Sequence, residues 1–192
     1  MLMSTKIILA SASPRRKILM ESAGIPCEIV PADVDELIPD NTPPHLACMF
    51  NALRKAQCVS RDYPERFVIG ADTVVWNGRI LGKPENEKEA FQTLAELRNR
   101  VHSVFTGVCI VMEDKMITRL FYDQTSVEFD NYSDEEIYDY IVTGEPSDKA
   151  GSYAIQGVWA SHVRGIRGDR SNVIGLPVNL LQRELVRLGV DC

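Results

Sequence analysis

Two arginines lie where a predicted helix begins, at a position that favours an anion over a cation. Ser13 is a residue type that commonly caps helices and Pro14 suits the first helical position, so a helix is predicted to begin here. Arg15 and Arg16 then fall in its first turn, where each cation is unfavourable by about 0.3–1 kcal/mol. A phosphate chain would offset both charges and accept hydrogen bonds from the free amides. The pattern predicts a phosphate site, with two solvated arginines on an exposed turn as the alternative.

An aspartate interrupts an apolar run that predicts a β-strand from Phe67 to Trp76. A carboxylate buried in a strand is unfavourable unless it is paired, protonated, hydrogen-bonded or bound to a metal. Asp72 is therefore a candidate catalytic residue, and Thr73 beside it offers a hydroxyl donor. The alternative is an aspartate near a strand end that accepts hydrogen bonds from neighbouring backbone amides.

Three carboxylates lie in a loop predicted between Ala32 and Pro44. Asp33, Asp35 and Glu36 offer the hard oxygen ligands that Mg²⁺ and Mn²⁺ prefer. An ordinary acidic loop is the alternative, and it is favoured when this segment is considered alone.

Two lysines and a glutamine depend on their neighbours for a function. Lys83 follows a predicted hairpin and would reach into a cleft from a rigid turn, whereas Lys55 lies on a predicted helix, where a lysine is ordinarily solvated. The segment 148–157 places small residues around polar ones, which allows a backbone to approach a ligand closely. Its Gln156 amide could contact the edge of a base.

Hydrophobic periodicity and turn signals predict an α/β fold that must position these residues. Strands are predicted at Lys6 to Ala10, Cys27 to Val30, Phe67 to Trp76, Val101 to Met112 and Met116 to Phe129, with a Gly-punctuated strand region from Tyr153 to Asn172. Helices are predicted from Pro14 to Gly24, His45 to Arg61, Asn86 to Leu97, the Ser133 capping box to Gly144, and Leu176 to Leu188. Asn77-Gly78 is a strong hairpin signal.

Composition excludes several classes of protein. The 192 residues, 45% of them hydrophobic, predict one domain over 1–192, and the net charge of −6 disfavours general electrostatic binding of duplex nucleic acid. The five cysteines are scattered, without a zinc-site spacing, which predicts reduced thiols in a cytoplasmic protein. We identify neither a signal peptide nor a membrane-spanning run, so a soluble protein is expected. The three histidines lie far apart beside no nucleophile motif, which disfavours a Ser-His-Asp hydrolase.

Five motifs, taken in order, resemble the Maf family of nucleoside triphosphate pyrophosphatases over nearly the whole chain. They are Ser11-x-Ser13-Pro14-Arg15-Arg16, Gly70-Ala71-Asp72-Thr73-Val74-Val75, Gly82-Lys83-Pro84, Asp148-Lys149-Ala150-Gly151 and Gly175-Leu176-Pro177. The resemblance implies an elongated mixed sheet with flanking helices and two lobes around a central cleft, similar to inosine triphosphate pyrophosphatase. It also implies a divalent metal, Mg²⁺ or Mn²⁺, and a homodimer.

The resemblance assigns a role to each matching position. Glu36 matches an acidic residue of the cleft and Asp72 the proposed general base, and both would hold the metal. Arg15, Thr73 and Gln156 match the subgroup that hydrolyses dTTP and UTP rather than its 7-methyl-GTP sister. The positions that match the phosphate-contacting set are Ser11, Arg15, Arg16, Lys55, Lys83 and Lys149. Ser152-Tyr153 departs slightly from the Ala-Tyr of many members.

The implied reaction is hydrolysis between the α and β phosphates of dTTP, UTP or a modified pyrimidine triphosphate, releasing the monophosphate and pyrophosphate. Asp72 would deprotonate the attacking water, and Glu36 and Lys83 complete the predicted catalytic set. Two alternatives remain open: a 7-methyl-GTP pyrophosphatase, and a non-catalytic regulator of septum formation, since the family name is also attached to cell division. A third option, phosphomonoester hydrolysis, lacks a recognisable nucleophile.

Overall fold

The computed structural model describes residues 7–37 and 41–190 and contains helices and strands in mixed order. Lys6 of the first predicted strand, residues 38–40 of the predicted acidic loop and Cys192 lie outside these residues. The strands are β1 (Ile7–Leu9), β2 (Cys27–Ile29), β3 (Val68–Trp76), β4 (Ile80–Leu81), β5 (Val101–Met112), β6 (Ile117–Phe129) and β7 (Val163–Arg167). The α-helices are α1 (Pro14–Ser22), α2 (Pro44–Ser60), α3 (Glu87–Leu97), α4 (Asp134–Val142), α5 (Arg170–Ile174) and α6 (Val178–Arg187).

One mixed sheet joins all seven strands. Its order is β2-β1-β3-β5-β6-β7, and β4 pairs with the end of β3. β1 runs parallel to β2 and β3, whereas the remaining pairs are antiparallel. The long strands β5 and β6 pair along their whole lengths, which gives the sheet its elongated form. The predicted fold class, a mixed elongated sheet with flanking helices, is confirmed.

Most elements lie where the sequence predicts them, because their local signals are strong. Ser133 and Glu136 form the predicted reciprocal capping box at the start of α4. Asn86 caps α3 through its side chain, and the Asn77-Gly78 turn joins β3 to β4. The four cysteines within the described residues are unpaired. No helix in the described part of the chain is long and apolar enough to cross a membrane.

The predicted strand region from Tyr153 to Asn172 is only partly correct. β7 is a strand, but 3₁₀ turns precede it and Asn172 lies in helix α5. Glycines with positive φ angles bound the strand region, at 111° for Gly157 and 126° for Gly168. Asp169 then caps α5 by accepting a hydrogen bond from the Ser171 amide. A short side-chain cap in this segment therefore begins a helix that the strand pattern does not predict.

α2 lies so close to the centre of the sheet that two strand glycines have no space for a side chain. A Cβ on Gly70 would lie 2.2 Å from the Ala52 carbonyl oxygen, and one on Gly107 would lie 2.5 Å from the Met49 nitrogen. Gly107 pairs with Asp72 in the β3–β5 register. Side chains two residues apart on a strand share a face, so the face that packs against α2 at Gly70 also carries Asp72.

Gly70→Ala is expected to destabilise the protein, since the added methyl group would force α2 away from β3. Overpacking of this kind lowers the free energy of unfolding by about 1–3 kcal/mol. Thermal unfolding should report a lower midpoint for Gly70→Ala but not for Gly82→Ala, because a Cβ on Gly82 would meet no heavy atom within 4 Å. Equal midpoints for the two variants would contradict the tight α2–β3 contact.

Candidate active site

A cleft of about 750 Å³ brings together the ten residues to which the family resemblance assigns a role, whereas Asp33 and Asp35 of the acidic loop are absent from its lining. Its walls come from the start of α1, the acidic loop after β2, the middle of α2, strand β3 and the turns after β4 and α4. The ten are Ser11, Arg15, Arg16, Glu36, Lys55, Asp72, Thr73, Lys83, Lys149 and Gln156. Residues spread over most of the chain therefore share one surface, although their chemical roles stay predictions.

Lys55 lies between the two carboxylates of the cleft. Its Nζ is 2.7 Å from Asp72 Oδ1 and 2.8 Å from Glu36 Oε1. Asp72 is only 4% exposed, so this ion pair and its hydrogen bonds offset the burial of a charged group. Lys83 contacts the other oxygen of Glu36, with Nζ 3.3 Å from Oε2. The centre of the cleft is thus an alternating arrangement of cations and carboxylates.

The two carboxylates differ in their proton affinities. Burial raises the pKa of Asp72 above its ordinary value, and although the charge of Lys55 opposes this effect, the charge of Glu36 adds to it. Burial also acts to raise the pKa of Glu36, but the hydrogen bond and charge of Lys55, together with Lys83, outweigh it and lower the pKa to about 2. Asp72 is therefore the better proton acceptor of the pair, because its conjugate acid is the weaker one.

Asn51 is a buried residue of the site that the sequence analysis missed. Its Nδ2 donates to Asp72 Oδ2 at 3.3 Å and to the Leu37 carbonyl at 3.1 Å. Its Oδ1 accepts a hydrogen bond from the Leu37 amide at 2.9 Å. Asn51 therefore joins the acidic loop to Asp72. The sequence does indicate this residue in one way, because Asn51 lies four residues before Lys55 and therefore on the same face of α2.

Arg16 is held by the protein itself at the start of α1. Ser13 occupies the predicted N-cap position and Pro14 begins the helix, but the Ser13 side chain makes no capping hydrogen bond. Arg16 Nε donates to the Gly175 carbonyl at 2.8 Å, and its Nη atoms donate to Ser11 Oγ and Thr73 Oγ1, each at 3.2 Å. These acceptors use three of the five guanidinium N–H groups, which leaves two for a ligand.

Arg15 and Lys149 both pair with Asp148. Arg15 Nη1 lies 3.8 Å from Asp148 Oδ2, and Lys149 Nζ contacts Asp148 Oδ1. Burial alone would raise the pKa of Asp148, but the hydrogen bond and charge of Lys149, together with Arg15, lower it. The Asp148 side chain is 67% exposed, so a phosphate anion could take its place beside both cations. Gln156, also exposed, lies further along the same cleft.

The carboxylate pair fits a hard divalent cation held jointly with a ligand. Glu36 and Asp72 both direct an oxygen at the Lys55 ammonium, so the two carboxylates already converge on one cation. Within residues 7–37 and 41–190, no group of three or more His, Cys, Asp or Glu side chains could hold a metal. Mg²⁺ is commonly bound by one or two carboxylates completed by substrate phosphates and water, so a two-carboxylate site suits it.

Known proteins with related sequences match nearly the whole chain. The Maf family, described as Maf-like protein, matches residues 6–188. A Bacillus cereus protein named dTTP/UTP pyrophosphatase is 48% identical over 187 residues, covering 97% of this chain and 97% of the relative. A Bacillus anthracis protein of the same name is 46% identical over 187 residues, with the same coverage.

Two solved structures share the fold at low sequence identity. The Staphylococcus aureus Ham1 protein has a TM-score of 0.51 at 15% identity, covering 95% of this chain and 99% of that one. A HAM1 protein from Coxiella burnetii has a TM-score of 0.50 at 13% identity, covering 95% and 98%. At these identities the likeness shows the fold alone.

Proposed function

The chain belongs to the Maf family, and from that membership we propose that it is a nucleoside triphosphate pyrophosphatase acting on dTTP, UTP and modified pyrimidine triphosphates. The observation that carries the proposal is the cleft itself, which five cationic side chains line together with the Asp72 and Glu36 carboxylates. A triphosphate supplies the negative charge that those cations would bind. The relatives named dTTP/UTP pyrophosphatase, which match 97% of the chain, support the same assignment.

The proposed reaction is attack of water on the α-phosphorus. The bond between that phosphorus and the oxygen bridging to the β-phosphate breaks, so the products are the nucleoside monophosphate and pyrophosphate. Arg16 and Lys149 would bind the phosphates through their free N–H groups, and Lys83 would approach from the turn after β4. Cations placed around the phosphates stabilise the charge of a phosphoryl transition state, which is the main source of catalysis in reactions of this class.

Asp72 would remove the proton from the attacking water. Its burial raises its pKa, which strengthens it as a base, and hydrogen bonds to Lys55 and Asn51 hold one rotamer of its carboxylate. Glu36 and Asp72 are also the residues that would hold Mg²⁺ or Mn²⁺. When bound, such a metal supplies charge neutralisation of the phosphates and a lowered pKa for water.

Lys55 and the metal would compete for the same two carboxylates, which gives a binding prediction. Lys55→Met removes the ammonium that bridges Glu36 and Asp72, so the free protein is expected to bind Mn²⁺ at least about fivefold more tightly. Electron paramagnetic resonance of free Mn²⁺ measures this affinity without any turnover. Lys149→Met is the matched control because it removes a cleft cation that pairs with Asp148 instead. An equal gain in both variants would indicate general electrostatics and contradict a shared site.

A nucleotide panel tests the proposed function. The purified protein, with Mg²⁺ or Mn²⁺, should release pyrophosphate rather than orthophosphate from dTTP and UTP, and 7-methyl-GTP should react more slowly. A preference for 7-methyl-GTP would keep the reaction but overturn the subgroup assignment that uses Arg15, Thr73 and Gln156. Orthophosphate as the product would indicate phosphomonoester hydrolysis. No turnover of any triphosphate would favour the non-catalytic regulator of septum formation.

Three further properties are part of the proposal. Composition and the continuous sheet support a single domain over 1–192. Unpaired cysteines within the described residues support a cytoplasmic location. The homodimer rests on the family resemblance.

A further inference from the structure

A line of hydroxyl groups leads from Arg16 into the protein interior. Thr73 Oγ1 lies 3.2 Å from Arg16 Nη2 on the cleft side and 2.9 Å from Thr106 Oγ1 on the inner side. Thr106 Oγ1 lies 2.9 Å from the carbonyl oxygen of Asn172 in α5. Thr106 and Asn172 have no exposed surface, and Thr106 is absent from the cleft lining.

The direction of each hydrogen bond in this line follows from the atoms at its two ends. The Asn172 carbonyl can only accept, so Thr106 must donate its single hydroxyl proton there. In the contact between the two hydroxyls, Thr73 must then be the donor. Arg16 can only donate, so it uses a remaining lone pair of Thr73. All three hydrogen bonds are satisfied by one arrangement of protons.

We propose that Thr106 is a positioning residue, which orients the Thr73 hydroxyl as an acceptor and thereby holds the Arg16 guanidinium towards the triphosphate. The inference rests on the proposed function, because that function makes Arg16 a phosphate ligand. Thr73 and Thr106 are direct partners in the β3–β5 register, so the sheet fixes the separation of their oxygens. The Thr73 proton is committed to Thr106, and Thr73 therefore supports Arg16 instead of donating to the nucleotide.

The competing explanation is that Thr106 only attaches α5 to the sheet. Thr125 provides a matched control for that explanation. It is also fully buried, donates to the Asp169 carbonyl at 2.9 Å and accepts from Asn172 Nδ2 at 3.0 Å. Thr125 thus holds α5 from the neighbouring strand, and its register partner is Val104.

Three single variants separate the two explanations. Thr106→Val keeps the shape but removes the hydroxyl, Thr106→Ser keeps the hydroxyl, and Thr125→Val makes the same change at the control site. Calorimetry with α,β-methylene dTTP, which cannot be cleaved to pyrophosphate, should show affinity about tenfold weaker in Thr106→Val, because an oriented hydrogen bond to a charged group is lost. Thr106→Ser and Thr125→Val should stay within about twofold of the wild type. Equal losses in Thr106→Val and Thr125→Val would overturn the proposal.

A double-mutant cycle tests whether Thr106 acts through Thr73. In a Thr73→Val background, Thr106→Val should have no further effect on analogue affinity, whereas an independent structural effect would persist and would overturn the proposal.

Binding of the analogue by the wild type distinguishes failure of the Thr106 proposal from failure of the proposed function. If the wild type binds the analogue but releases no pyrophosphate from any nucleotide, the proposed function fails and the binding cycle still decides the role of Thr106. If the wild type does not bind the analogue, both proposals fail.

Discussion

Asp72→Asn is expected to lower kcat for dTTP and UTP by about 10³-fold, because the amide can neither accept the water proton nor bind a metal as a carboxylate does, whereas nucleotide binding measured without metal should stay within about threefold. The substitution keeps the size of the side chain, and its single amide oxygen can still accept one of the two hydrogen bonds that Lys55 and Asn51 donate to Asp72. Although the substitution breaks the buried ion pair of Asp72 with Lys55, the Lys55 ammonium keeps its ion pair with Glu36, so the fold should persist. Pyrophosphate release gives kcat, and calorimetry with α,β-methylene dTTP gives the affinity.

Asp123→Asn is the matched control for this prediction. Asp123 also lies on a long central strand and is partly buried, and burial likewise raises its pKa. It is absent from the cleft lining, so its replacement should leave kcat unchanged. A kcat near that of the wild type in Asp72→Asn would reject Asp72 as the base. A large loss in Asp123→Asn as well would mean that the assay reports damage to the sheet.

The parts of the fold that could be predicted depend on local signals. The capping box at Ser133, the Asn77-Gly78 turn and the apolar run of β3 each act within a few residues, and the structure contains all three elements. Asp72 was identifiable because a carboxylate conflicts with an otherwise apolar strand. The close packing of α2 against Gly70 was not predictable, since it depends on two surfaces that only the folded chain brings together.

The sequence predicted which residues share the candidate site, but not the hydrogen bonds and ion pairs that they form with one another and with the backbone. The family resemblance and the charged residue types selected side chains that do share one cleft. The contacts that hold Arg16 were invisible, because its Gly175 acceptor is 159 residues away in the chain. The phosphate site was predicted because a cation is unfavourable at a helix N-terminus. The Gly175 carbonyl already offsets part of this unfavourable charge, so an anion is not the only possible partner of Arg16.

The cations of the cleft differ in how firmly the protein holds them, which indicates two different roles in the reaction. Arg16 and Lys55 are anchored by the protein before a ligand arrives, through three hydrogen bonds for the first and two ion pairs for the second. Lys83 has a 56% exposed side chain and a single ion pair, at 3.3 Å from Glu36. Anchored cations give a fixed geometry at little entropic loss on binding. Lys83 is held by fewer contacts, so its ammonium is free to follow the charge that moves towards the leaving pyrophosphate.

Lys83→Ala is therefore expected to lower kcat by about 10²-fold or more, with little effect on stability. An exposed ion pair contributes at most about 1 kcal/mol to folding, so the thermal midpoint should stay close to that of the wild type. The pKa of Glu36 should rise towards its ordinary value, because the charge of Lys83 helps to lower it. Steady-state pyrophosphate release gives kcat and KM, and the loss should fall mainly on kcat if Lys83 acts in the transition state.

Lys88→Ala provides the comparison, since Lys88 is exposed on α3, close in sequence, and outside the cleft lining. It removes the same charge from the protein, so it should reproduce any effect of net charge on nucleotide attraction. A loss confined to KM in Lys83→Ala would make Lys83 a ground-state ligand of the triphosphate. Wild-type kinetics in Lys83→Ala would remove it from the catalytic set, and the anchored cations Arg16 and Lys55 would then have to stabilise the transition state with Lys149.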